Sequence, residues 1–307
     1  MRPNLFIIGS MKSGTTYLSG LLAEHPAVFV SCPKEPCYFV DQRTLRRVWP
    51  DRKLYLERAD DYLSLFAAAG DAAVIAEAST VYSQLPVFPG VAERILAFSP
   101  KARFIYIMRD PVERTISHYW HRVRWWGERR SLRAALRLDP HYREVSHYAR
   151  QLNAYLRHVE RDRIYVLTYE ALVSRPFEQL QHIYAWLGVA GDFRPAKLGI
   201  PNNVLPDVIE QVRGFGLLDR LRHSATYHKV GRYIPRPLRS FAAGLAVRPL
   251  RPADLDTSEV RSLLRPQQQR ETEELARLLH RSFPEWTTLY AAETPHLTVA
   301  ARYSVGS

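Results

Sequence analysis

Over roughly the first 190 positions, short apolar runs alternate with segments whose apolar residues recur at helical spacing. Runs of this length bounded by Gly, Pro or polar residues read as buried strands. Leu5 to Ile8, ended by Gly9, is the first; AVFV (27–30) is the second and AAVIAEAS (72–79) the third. RFIYIMRDP (103–111) is a fourth, stopped by Pro111, and RIYVLTYEAL (163–172) a fifth. Between them Leu18, Leu21 and Leu22 mark a helix after the first strand. Pro111 suits the first turn of a helix that runs through the Trp125 region. QLNAYLRHVER (151–161) reads as amphipathic helix, and so does 176–189, with Phe177, Leu180, Tyr184 and Leu187 on one face and Gly188 at its close.

Strands that are apolar throughout, alternating with helices, predict an α/β fold with a P-loop-like parallel sheet and helices on both faces. Ligands of such sheets bind beyond the carboxyl ends of the strands. The polar clusters 9–16, 77–82 and 109–117 all follow strand ends and are predicted to converge on one cleft. The segment after the second strand is expected beside the first loop. Past residue 190 the pattern weakens: 191–256 is rich in Pro, Gly and Arg and reads as a C-terminal lid-like helical excursion over the acceptor side. Residues 258–286 return to helix. The whole of 1–307 is expected to form one domain.

Composition narrows the classes. With 46% hydrophobic and 24% charged residues, the chain is globular rather than disordered. Its formal net charge of +12 favours anionic partners, although the excess is carried mostly by Arg, and Lys12 and Lys34 stand out among few lysines. Cys32 and Cys37 form neither a C-x-x-C motif nor a disulfide framework, which points to a reducing compartment. No apolar run approaches a membrane span, and only MRPN precedes the first strand. A soluble cytoplasmic protein is the expectation, with peripheral membrane contact left open.

The first strand leads into Gly9-Ser-Met-Lys-Ser-Gly-Thr-Thr16. Backbone N–H groups of such a loop at a helix N-terminus hold anions, and Lys12, Thr15 and Thr16 add a charge and two hydroxyls. The nucleoside-triphosphate loop instead places Lys directly after the second Gly, where Thr15 stands here. The fourth strand delivers Arg109 and Asp110, with Ser117 eight residues after Arg109 on the next helix, a pair able to grip a phosphate. In CPKEPCYF (32–39), Glu35 is a candidate general base beside Lys34. HYWHRVRWWGERR (118–130) mixes aromatic and basic residues; its plainer reading is Trp in the core and Arg in solvent. His118 and His121 share a helix face but have no Cys or acidic ligand set nearby, so no metal site is read.

The three motifs together resemble the PAPS-dependent sulfotransferases, where PAPS is 3′-phosphoadenosine 5′-phosphosulfate. That family's 5′-phosphosulfate loop carries Lys ahead of Ser-Gly-Thr-Thr, as Lys12 does here. Its 3′-phosphate motif, Arg-[ND]-P with Ser eight residues after Arg, matches MRDPVERTIS at Arg109 and Ser117. HP at 25–26 and YEAL at 169–172 extend the resemblance over about residues 4–190. The resemblance implies sulfuryl transfer from PAPS to a hydroxyl or amine of a carbohydrate, lipid-linked or small-molecule acceptor, with 3′,5′-ADP as product and no metal. It implies Glu35 as base with Lys12 and Lys34 as catalytic cations. It places Lys12, Ser13, Gly14, Thr15, Thr16, Arg109, Ser117 and Tyr169 on the cofactor, and no nucleic-acid partner. PKEPCYF is nearest the Golgi glycosaminoglycan and bacterial branch. The Lys of those enzymes is absent where Ala78 stands, and HKVGR (228–232) only faintly resembles their C-terminal cofactor loop. Two other readings stay open from the residues alone: a P-loop kinase or NTPase, needing Mg²⁺, and a non-catalytic polyanion binder with steeply salt-dependent affinity.

Overall fold

The computed structural model describes residues 1–50, 52, 54–200, 208–212, 247–251 and 256–290. Its centre is a five-stranded parallel sheet of β1 (Leu5–Gly9), β2 (Val28–Val30), β3 (Val74–Ala78), β4 (Arg103–Met108) and β5 (Ile164–Thr168), in the order β2-β3-β1-β4-β5. Side chains of a strand alternate between faces, so an all-apolar strand needs cover on both. Leu5 and Ile7 face one core, with Leu18, Leu21 and Leu22 of α1 (Thr15–Leu22) and Leu180, Ile183 and Tyr184 of α10 (Pro176–Leu187). Phe6 and Ile8 face the other, with Ile95 of α4 (Val91–Phe98) and Leu152 and Tyr155 of α8 (Tyr148–Leu156). The expected parallel α/β sheet with helices on both faces is what the chain forms.

Several boundaries differ from the sequence expectation for local reasons. The second strand is not beside the first: β3 lies between them. All of β3 is buried, as a central strand must be, whereas Phe29 and Val30 of β2 are half-exposed, which suits an edge. The fifth strand stops at Thr168, whose hydroxyl accepts from the Ala171 N–H and starts α9 (Tyr169–Ser174), so YEAL is helix, not strand. The helix expected over 151–161 runs over Tyr148–Leu156 instead. Helices α2 (Gln42–Val48), α3 (Ala59–Ser64), α4, α6 (Leu132–Leu138) and α7 (His141–Glu144) were not foreseen.

The lid proposed over 191–256 lies largely outside the described residues, as do 228–232 and nearly all of 214–247. Its described feet are an antiparallel pair, β6 (Ile209–Val212) and β7 (Val247–Leu250). The Gln211 side chain donates to the Glu128 carbonyl at 3.0 Å, tying these feet to the end of α5 (Pro111–Trp125). The C-terminal helix α11 (Ser258–Leu279) ends earlier than 286 because His280 turns left-handed (φ 50°) and Pro284 follows. Phe283 and Trp286 then stack at 4.2 Å, with Trp286 fully buried.

This C-terminal segment is bolted to the strand ends. Asp110 caps α5 through the Val112 and Glu113 N–H groups, and its second oxygen accepts from the Leu289 N–H at 2.9 Å in α12 (Thr287–Tyr290). Trp286 donates to Glu170 at 3.3 Å, and Glu170 in turn accepts from the Asp110 N–H at 2.9 Å. Replacing Asp110 by Ala removes a helix cap and orphans a buried N–H. Asp110→Ala is therefore expected to cost about 2 kcal/mol in urea unfolding, with Asn, which keeps one accepting oxygen, restoring part of it. An unchanged midpoint would mean that this carboxylate does not join the two segments.

Candidate active site

The register of the sheet sets the first half of the site. Met108 pairs with Thr168, so Arg109 and Tyr169 leave the sheet side by side. The Arg109 guanidinium sits 5.2 Å from the Tyr169 ring centre and reaches the Lys12 carbonyl at 3.4 Å. Tyr148 holds the Arg109 carbonyl at 2.7 Å, and Glu113 pairs with the guanidinium at 3.9 Å. On the neighbouring strand, β1 runs into the loop 9–14 and then α1. Gly14 caps α1 at φ 87°, and a Cβ there would meet the Tyr169 ring at 2.6 Å. The glycine is thus required twice, by its conformation and by the ring above it. Lys12 also has positive φ (71°), a conformation that costs a non-glycine residue about 1–3 kcal/mol and recurs at functional sites.

Lys12 is half-buried, and burial pushes its ammonium down to about 8, assisted by Arg109, Arg124, Arg114 and Lys34. It therefore becomes neutral more readily than an ordinary lysine, and an anion placed nearby restores its charge. The Ser117 hydroxyl and the Thr15 and Thr16 hydroxyls line the same cleft. No hydrogen-bond partner engages them, or the Lys12 ammonium, among the described residues. Ser13 departs from expectation: its side chain is fully buried and its hydroxyl pairs with Ser10 at 2.6 Å beneath the loop, so it shapes the loop from behind.

Glu35 reaches the cleft although β2 is an edge strand. Residues after β2 keep following β3: the Ser31 N–H donates to Ala76 and the Glu35 N–H to Ala78, each at 2.9 Å. Glu35 then turns left-handed (φ 62°), and its carboxylate accepts from the Thr80 N–H at 2.7 Å, from the Thr80 hydroxyl and from the Lys34 ammonium. Arg52 clamps the outside of the turn, donating to the Glu35 and Pro36 carbonyls. These partners leave the carboxylate part-exposed toward the cleft.

Glu77, in the cluster expected at the cleft, instead points into the core. Its pairing with Phe6 puts it on the α4 face, where it is fully buried. Burial pushes its carboxyl up to about 7, against the pull of the Ser79, Tyr62 and Tyr82 hydroxyls. Ser79 donates to Glu77 at 2.6 Å and accepts from the Cys37 N–H at 3.0 Å, so the buried acid braces the turn that carries Glu35. Cys37 is buried and Cys32 exposed, both as free thiols.

Lys12, Gly14, Thr15, Thr16, Lys34, Glu35, Arg109, Ser117 and Tyr169 line one cleft of about 400 Å³. His118 and His121 do not act together: His118 is fully buried beside Arg114 and Tyr142, while His121 faces the cleft. The plain reading of 118–130 holds for Trp120, which is buried, and for Arg124, which is exposed, and fails for Trp125, which is 62% exposed. Among the described residues no group of three or more His, Cys, Asp or Glu could hold a metal ion, and no helix is long and apolar enough to cross a membrane.

Residues 3–193 match the Sulfotransferase family. The chain belongs to the sulfotransferase family. It is 33% identical over 129 residues to the membrane-associated sulfotransferase kil1 of Dictyostelium discoideum, covering 42% of this chain and 25% of that protein. It is 25% identical over 242 residues to the mouse heparan sulfate glucosamine 3-O-sulfotransferase 3A1, covering 75% of this chain and 54% of that one. The matched stretches span from 13% to 54% of these and other curated relatives. A sulfotransferase structure from Alicyclobacillus acidocaldarius superposes with a TM-score of 0.64 over 93% of this chain and 99% of the other at 23% identity, which shows a shared fold.

Sequence reasoning missed Thr80, Arg52 and the bracing role of Glu77. The one visible signal was an acid inside an otherwise apolar run, VIAEA. In the folded sulfotransferase Glu77 holds a proton that the unfolded chain releases near the usual value of 4.5. Stability therefore falls as pH rises from about 4.5 to about 7, by on the order of 3 kcal/mol in full. Glu77→Gln removes this contribution, so wild type is expected to lose 2–3 kcal/mol relative to the variant between pH 5 and pH 8. Parallel unfolding curves for the two proteins across that range would exclude it.

Proposed function

We propose that this chain is a PAPS-dependent sulfotransferase acting on a hydroxyl, or an amine, of a small-molecule or carbohydrate acceptor, with Glu35 as general base. The observation that carries the reading is what lines the one cleft. Lys12, Thr15, Thr16 and Ser117 line it with no side-chain partner among the described residues, together with Arg109. The same cleft is lined by the Glu35 carboxylate, held by Thr80 and Lys34. Burial, together with the cations around it, lowers the proton affinity of Lys12, a setting that suits a ligand with several negative charges.

PAPS, when bound, supplies an activated sulfuryl group whose departure leaves 3′,5′-ADP. Lys12, the α1 N-terminus and the Thr15 and Thr16 hydroxyls would hold the 5′ anion, and Lys12 would offset the charge gathering on its oxygens. Arg109 and Ser117 would hold the 3′-phosphate, and Tyr169, packed over Gly14, would border the adenine. Glu35 would take the proton of the acceptor hydroxyl, and Lys34 would face the sulfuryl oxygens. The heparan sulfate and carbohydrate acceptors named for the curated relatives make a sugar hydroxyl one candidate substrate. The chain is read as one catalytic domain.

Two measurements test this. Calorimetric titration is expected to show tighter binding of 3′,5′-ADP than of ADP or ATP–Mg²⁺, with Arg109→Ala weakening it roughly 10- to 100-fold. Preference for ATP–Mg²⁺ would favour a kinase instead. Glu35→Gln is expected to keep 3′,5′-ADP affinity while turnover drops about 10²- to 10⁴-fold. Near-normal turnover would remove Glu35 from the role.

A further inference from the structure

The cleft that holds Glu35 is also walled by aromatic and aliphatic side chains from three separate segments. Val48 and Trp49 come from the end of α2, Phe88 from the stretch after β3, and Trp120, Trp125 and Trp126 from the last turns of α5. The Trp49 and Trp126 ring centres are 5.8 Å apart and the planes tilted by 42°, so the indoles form one continuous surface.

Most charged groups around this wall are already paired, and Arg124 is the exception among the described residues. Lys34 pairs with Glu35. Arg52 lies 5.0 Å from the Trp49 ring centre with its donors on the Glu35 and Pro36 carbonyls. Arg122 pairs with Asp139 at 2.5 Å. Arg124 is exposed and lies over the Trp125 ring at 4.7 Å. His121 adds no charge near neutrality, because burial together with Lys12, Arg124 and Arg122 pushes it down to about 4. Gln84 is almost wholly buried, with its amide against the Met11 sulfur at 3.8 Å.

A sulfated or carboxylated glycan would need a cation for each of its charges, and a neutral sugar a hydrogen-bond partner for each hydroxyl. This wall supplies neither in number among the described residues. It supplies apolar area, which rewards a ligand that leaves water at about 25 cal/mol per Å².

We propose that the acceptor taken at this wall is an uncharged lipophilic hydroxyl compound, a phenol or apolar alcohol, which lays its body on Trp49 and Trp126 and turns its hydroxyl to Glu35. This rests on the sulfuryl-transfer reading. The proton of that hydroxyl passes to Glu35, the oxygen forms the new bond to sulfur, and the bond from sulfur to the 5′-phosphate oxygen breaks, releasing 3′,5′-ADP.

The test uses the full chain with PAPS, and compares 2-naphthol and 1-octanol with a neutral disaccharide and an N-acetylated heparosan oligosaccharide. Release of 3′,5′-ADP is read for turnover, and quenching of tryptophan fluorescence for binding. The lipophilic pair is expected to give the higher kcat/KM. Trp126→Ala and Trp49→Ala, both at half-exposed positions, are expected to raise KM for 2-naphthol roughly tenfold. The 3′,5′-ADP affinity should stay unchanged, and Trp126→Phe should recover most of the loss. A higher kcat/KM for either glycan, or no effect of the Trp variants on KM, overturns the inference while leaving sulfuryl transfer standing. Absence of 3′,5′-ADP binding in wild type overturns both.

Discussion

Positive charge that the described residues do not fully neutralise is the constraint around which the cleft is built. Lys12, Arg109 and Arg124 line it, Lys34 lines it paired with Glu35, and Arg114 adds its charge from α5. Arg114 is the extreme case: fully buried on α5, it donates to the Ser146 and Thr115 hydroxyls and the Tyr142 carbonyl and contacts His118 Nδ1, with no carboxylate paired to it among the described residues. Neutral dipoles solvate a guanidinium without cancelling its field. The field therefore persists at the cleft, where it lowers the proton affinity of Lys12. A bound polyanion would relieve this mutual repulsion, so part of its affinity is stored in the fold itself.

The same constraint explains why helix caps and the C-terminus converge on the strand ends. Asp110 and Glu170 stand between the cations and the C-terminal segment, and each is tied to backbone or side-chain donors there. Burial raises both carboxyls, and the N–H groups they accept from pull the other way. Their hydrogen bonds go to α5, α12 and Trp286 rather than to Arg109. Among the described residues Glu113 is the carboxylate that pairs with Arg109, at 3.9 Å, and it shares itself with Arg261 at 2.9 Å. The guanidinium thus keeps donors to spare.

What could be read in the chain follows from which forces are local. The strands were legible because β1 is apolar without break and β3 and β4 nearly so, and the phosphate-loop and Arg109 motifs because a loop and a strand end are contiguous in sequence. The place of β2 was not, since strand order depends on which strand can bear an exposed face, and Phe29 and Val30 show this only once packed. Tyr169 was expected to extend a strand because the Thr168 hydroxyl that caps α9 is indistinguishable from any strand threonine. Thr80 and Arg52 escaped notice for a different reason: each meets Glu35 only through tertiary contact, at 45 and 17 positions' separation. The aromatic segment 118–130 misled because helical periodicity says which residues share a face, and not whether that face meets core or cleft.

The frame and the wall are fixed by different elements and meet through Arg52. Glu35 is fixed to β3 by the Ala78 carbonyl and Thr80, and the anion loop is fixed to β1 and β4 by Ile107 and Ser10. Since β1 and β3 are neighbours, with Ile7 opposite Ala78, one strand pairing sets the spacing between base and loop. A shift of that register by one residue would carry Glu77 out of its nest of hydroxyls and onto the opposite face, against Leu18 and Leu22, where no partner awaits it. The buried acid thus penalises every register but one. Trp49 and Trp126 belong to no strand; they hang from the ends of α2 and α5, and Trp49 meets the turn of Glu35 only through Arg52. Substitution at Trp126 can change what the cleft accepts while the β1–β3 pairing keeps base and anion loop at their distance, which is how one sheet can serve acceptors of different chemistry.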